Sequence, residues 1–119
     1  TGSVPSSAWT GSRPAEPQLP LYALLFNAQG IAFGHLSPGK AFGYQGVSST
    51  DQFGPGITPQ DWSSLQTSWQ RSLSVLAKQF LTGEATPNPE SRYPCERCAY
   101  RAVCRIDDIA STQEGSDEP

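Results

Sequence analysis

Hydrophobic residues gather in a few short stretches of this chain, and the longest periodic one lies in its second half. Trp62, Leu65, Trp69, Leu73, Leu76 and Phe80 recur every three or four residues, so they share one side of a helix. The spacing predicts an amphipathic helix over 59–82. Thr58 suits its N-cap, Pro59 its first position and Asp61 the positive end of its dipole. Lys78 is expected in the last turn, and Gly83 suits the C′ position. Burying six such side chains stabilises by about 9–18 kcal/mol, at roughly 1.5–3 each. Ordering roughly twenty residues costs at least as much, so this stripe needs a partner surface.

Two weaker patterns precede it. EPQLPLYALLF (16–26) is apolar and free of β-branched residues. Pro17 and Pro20 are tolerated only in or near a first helical turn, where amides lack intrahelical partners. A short helix over about 15–27 is predicted, with Leu21, Tyr22, Leu24 and Leu25 buried. Ile31–Leu36 and Phe42–Ser48 then read as strands of a hairpin spanning 30–48, joined through Ser37-Pro38-Gly39-Lys40. Pro-Gly fits the central positions of a type II turn. Gly34, Gly43 and Gly46 weaken the strands and suggest bulges. Residues 1–14 read as loop, with Trp9 expected to pack on a part of the domain that this sequence lacks.

Composition makes this a small, loop-rich α+β chain. Apolar residues are 36% of 119, and Gly and Pro number 11 each, so much of the backbone is turn. The net charge of -3 argues against a nucleic-acid partner until its placement is considered. Asp107, Asp108, Glu114, Asp117 and Glu118 put five acids and no base into residues 107–119. Without that stretch, 8 basic groups face 6 acidic ones, and Arg97, Arg101 and Arg105 sit in or beside a cysteine cluster. Local charge decides phosphate affinity, although ordinary solvated arginines explain the same residues. No apolar run reaches the roughly 18–20 residues of a membrane span, and no signal pattern opens the chain. A cytoplasmic protein with an acidic, disordered tail over 107–119 is expected.

Two constellations carry chemistry. Cys95, Cys98 and Cys104 form C-x2-C-x5-C. Three is an odd number for disulfides, and nothing signals secretion. Zinc sites and cubane iron–sulfur clusters take four ligands, so a metal site here would be incomplete or completed from outside. His35 is the one imidazole, and inert thiols are the alternative. Gln18 and Tyr22 lie four apart and fall on one helical face, where an amide and a phenol could bond a phosphate or a metal-bound water. A plain helix surface with a half-buried Tyr accounts for them as well. Trp62 and Trp69 read as core and His35 as an edge histidine. FGYQG lacks phosphate-loop spacing.

Taken in order, Gln18-x-x-x-Tyr22, a Gly-rich hairpin, a long amphipathic helix and C-x2-C-x5-C resemble the nuclease domains of RecB and AddB type, within the PD-(D/E)XK superfamily. Trp9-x3-Arg13-Pro14-x-Glu16-Pro17-Gln18-Leu19-Pro20-Leu21-Tyr22-Ala23 is similar to a bacterial group of probable DNA repair proteins. Pro94-Cys95-x-x-Cys98-x-Tyr100-x-x-x-Cys104 is similar to members that carry a four-iron cluster. The resemblance covers roughly 1–106. It implies an incomplete portion of a restriction-endonuclease-like domain, Mg²⁺-dependent cleavage of DNA, and Gln18 and Tyr22 supporting the active site. It also implies DNA contacts by Gln18 and Tyr22, to which the local charge adds Arg97 and Arg101, and Cys95, Cys98 and Cys104 as three ligands of a 4Fe–4S cluster whose fourth lies upstream. A helicase domain or subunit would be a partner.

The chain also departs from that family. Metal-dependent phosphodiester hydrolysis needs carboxylates to hold the ion. The family supplies them as Pro-Asp and Asp/Glu-x-Lys, yet no Pro-Asp occurs here and no acid stands two before Lys40 or Lys78. In related sequences Thr-Gly follows the Asp-x-Lys, and this chain opens Thr1-Gly2. The expectation is a C-terminal part of a nuclease that starts just after the catalytic lysine, is inactive alone and lacks a complete cluster. The rivals are a zinc-binding interaction module using His35 or a partner as fourth ligand, and a degenerate nuclease kept as scaffold.

Overall fold

A computed structural model describes residues 7–91 and 93–108. The elements run α1 (Ser7–Thr10), α2 (Gln18–Leu25), β1 (Gly30–His35), β2 (Gly43–Ser48), β3 (Ile57–Pro59), α3 (Trp62–Thr82), α4 (Tyr93–Glu96) and α5 (Arg101–Cys104). The architecture is α+β, as the pattern predicts. The chain divides into two compact units between Gly83 and Glu84.

In the first unit β2 is the central strand. It pairs antiparallel with β1, from Gly30 opposite Ser48 to His35 opposite Gly43. The register is unbroken, so the expected glycine bulges are absent from this pair. Gly46 is instead required for close approach, since a Cβ there would collide with the Ile31 carbonyl oxygen. The turn forms as expected: Lys40 N–H donates to the Ser37 carbonyl at 3.1 Å, and Gly39 takes φ 76°. A third strand, absent from the sequence reading, runs parallel to β2, with Val47 opposite Thr58.

That strand moves the start of α3. Thr58 and Pro59 are extended and paired with β2, so neither caps the helix. Asp61 is the N-cap, its carboxylate accepting the Ser64 amide at 3.2 Å. Gly83 closes the other end in the left-handed region, and Lys78 falls just short of the last turn. Only the first half of the apolar stripe is covered. Trp62, Leu65 and Trp69 are buried and Leu73 is partly so, whereas Leu76 is 39% and Phe80 85% exposed. The expected burial of all six is therefore corrected: the neighbouring layer ends beside the first three turns.

The core holds Trp9, Ala23, Ile31, Val47, Trp62, Leu65 and Trp69. Trp9 belongs to it, in a short helix within the stretch expected to be loop. Its ring lies 5.5 Å from that of Phe33. Trp62 and Trp69 meet edge to face at 5.4 Å, a favoured aromatic geometry. The Trp62 indole N–H donates to the Ala28 carbonyl at 2.9 Å. The polar edges of Trp62 and Trp69 thus find carbonyls, while that of Trp9 has no hydrogen-bond partner among the described residues.

Candidate functional site

α2 packs on α3 and β1 through Pro20 and Ala23, which are buried, with Leu19 and Leu24 beside the core. Pro17 is the N-cap residue, without a side-chain cap bond, and Pro20 stays inside the first turn. Neither proline removes a bond the helix would otherwise make. The expected burial of Leu21, Tyr22 and Leu25 is not observed. They are 43%, 43% and 68% exposed, because one turn of small and proline side chains already seats the helix.

This seating leaves Gln18 and Tyr22 on the open face. The Gln18 Nε2 donates to the Tyr22 hydroxyl at 3.1 Å, and the Tyr22 ring meets Phe26 edge-on at 6.4 Å. With its oxygen accepting from Gln18, the phenol keeps its own proton for an external acceptor. An amide and a phenol side by side are suited to a phosphate oxygen. His35 is engaged elsewhere, its Nε2 lying 3.3 Å from the Gln45 Oε1.

The second unit holds the cysteines and the arginines named with them. Cys95 is half-buried, and Cys98 and Cys104 are exposed. The Cys98 amide donates to the Cys95 carbonyl at 3.3 Å, and the Cys104 amide to the Tyr100 carbonyl at 2.8 Å. These bonds form two tight turns. The Arg97 guanidinium sits 5.3 Å from the Tyr93 ring centroid. Arg101 and Arg105 are ion-paired with Asp107 and Asp108, a pairing the sequence reading missed; i,i+3 spacing of Arg105 and Asp108 was its available signal.

A model of the PD-(D/E)XK nuclease superfamily matches residues 1–105. The chain belongs to this superfamily. No curated protein and no solved structure matches it. Superfamily members are nucleases that act on DNA with divalent metal ions. The residues present do not fit that metal: among the described residues no group of three or more His, Cys, Asp or Glu could hold an ion. The sequence likewise lacks Pro-Asp and an acid two positions before either lysine. Nor do three thiols complete a four-ligand cluster. Among the described residues, no helix is long and apolar enough to cross a membrane.

Proposed function

We propose that residues 1–106 are the C-terminal portion of the nuclease domain of a RecB/AddB-type DNA exonuclease acting in repair. Gln18 and Tyr22 support hydrolysis by carboxylates carried upstream in the same polypeptide, and the 119 residues alone are inactive. The observation that carries this reading is the exposed Gln18–Tyr22 pair within a superfamily match that spans 1–105. Tyr22 presents its hydroxyl proton to a DNA phosphate oxygen, and Gln18 fixes the phenol's rotation. Mg²⁺ would polarise the scissile phosphate and activate water in the intact enzyme. Arg97 and Arg101 add phosphate contacts.

Cys95, Cys98 and Cys104 are three ligands of a 4Fe–4S cluster whose fourth thiolate lies upstream, tying the two ends of the domain together. Their spacing and the aromatic and proline residues around them support this. A helicase domain or subunit would supply unwound DNA in the cytoplasm. Asp107 and Asp108 pair with Arg101 and Arg105, and the rest of the expected acidic, disordered tail, 109–119, lies outside the described residues.

The deciding experiment measures degradation of linear DNA with Mg²⁺ by a chain extended upstream, beside its Gln18→Ala variant and the 119 residues alone. Activity in the first, a loss of 10²-fold order in the second and none in the third support the reading. A folded, metal-loaded but inert extended chain sinks it in favour of the scaffold. For the cysteines, absorbance near about 400 nm in anaerobically prepared extended protein supports the cluster. Colourless protein with one zinc favours the interaction module.

A further inference from the structure

We propose that Asp107 and Asp108 occupy the guanidinium faces with which Arg101 and Arg105 bind DNA phosphates, giving the second unit a displaceable intramolecular lock on its nucleic-acid surface. The inference rests on the reading of DNA as ligand and adds Arg105 and its control to it. Arg101 donates from Nε to Asp107 Oδ2 and from Nη2 to Asp107 Oδ1, both at 3.0 Å. This side-on fork is the geometry by which arginine grips a phosphate. Arg105 donates from Nε to Asp108 at 2.7 Å, with Nη2 at 2.6 Å from the same oxygen. The four side chains, with Ala102, line one open depression.

The backbone sets this arrangement. α5 ends at Cys104, and its C-cap Arg105 takes the left-handed region at φ 53°. A non-glycine residue there is disfavoured, and glycine would make the same reversal at lower cost. The reversal returns the chain so that the Asp108 amide donates to the Arg105 carbonyl at 3.1 Å and both carboxylates reach the two arginines. Arg97, by contrast, lies against an aromatic face.

The pairs are weak enough to yield. Their side chains are 46% to 74% exposed, and exposed pairs change an equilibrium by only about 1.4- to 5-fold each. A DNA strand offers a row of phosphates and releases counterions on binding, so it can displace two carboxylates that single anions would not.

The test is fluorescence anisotropy of a labelled oligonucleotide with the whole 119-residue chain at low salt. Asp107→Ala/Asp108→Ala is expected to tighten binding about 2- to 10-fold. Asp51→Ala/Glu90→Ala removes the same charge from exposed positions outside the pairs, and should change it less than about 2-fold. Arg101→Gln/Arg105→Gln should weaken binding, and removing Asp107 and Asp108 in that background should gain no more than the control. Equal tightening by the control, or no tightening by Asp107→Ala/Asp108→Ala while the arginine variant weakens binding, overturns the lock alone. If the arginine variant binds as well as the parent, or nothing binds, the DNA-contact reading of these arginines falls with it.

Discussion

The indole N–H of Trp69 donates to the main-chain carbonyl of Trp9 at 2.7 Å, sixty positions earlier in the chain, with both residues fully buried. The bond fixes the first described helix to the middle of α3 and closes the core on that side. It also satisfies two polar groups that would otherwise be stranded in an apolar interior.

Trp69→Phe should therefore destabilise more than the volume change accounts for. Trp9→Phe removes a similar volume, but its indole nitrogen has no hydrogen-bond partner among the described residues. The Trp69 variant should lose about 1–3 kcal/mol beyond the Trp9 variant, the cost of stranding a buried carbonyl. Urea unfolding followed by circular dichroism measures the difference, and equal losses would refute the bond's contribution.

Gly46 and Gly43 both lie in β2 but should respond unequally to alanine. A Cβ at 46 meets the backbone of β1, whereas one at 43 meets nothing within 4 Å. Gly46→Ala should cost about 1–3 kcal/mol or more, and Gly43→Ala should fall within about 0.5 kcal/mol of the parent. Thermal melts of the two variants check this.

Asp61→Ala should cost about 0.5–2 kcal/mol through the lost cap. Thr58→Ala should not show a capping loss, because Thr58 belongs to β3. If Thr58 proves the costlier site, the helix begins where the sequence reading placed it.

Much of the fold was legible because its signals are local. The α+β class, the hairpin, its Pro-Gly turn and the α3 stripe follow from period and turn chemistry. β3 was not, since three residues give no period and Ile57-Thr58 is too short a β-branched run to stand out. The start of α3 failed with it, because strand pairing took Thr58 and Pro59 from the helix. Trp9 was misplaced because a buried aromatic in a Gly- and Ser-rich stretch has no periodic neighbours. At the candidate site, helical spacing brought Gln18 and Tyr22 together as expected. The carboxylates on Arg101 and Arg105 depend on a left-handed residue, which pattern does not reveal.

Glu84 offers a pH observation. The Thr86 hydroxyl and then the Thr86 amide bond its carboxylate and hold its pKa below the usual value. Stability from this contact is present above the ordinary carboxylate pKa and lost as pH falls through the lowered folded value. Carboxyl NMR titration should show Glu84 ionising early, and Thr86→Val should move its midpoint upward.

From Glu84 onward no described residue is buried, so the described part of that unit owns no interior. Its described amides are held by single turns, which open at small cost, while β2 and the first half of α3 open only when the tryptophan core does. Deuterium uptake should therefore be rapid over the described residues after Gly83 and slow in β2 and the first half of α3. A protease offered the chain should trim that end first and leave the first unit whole.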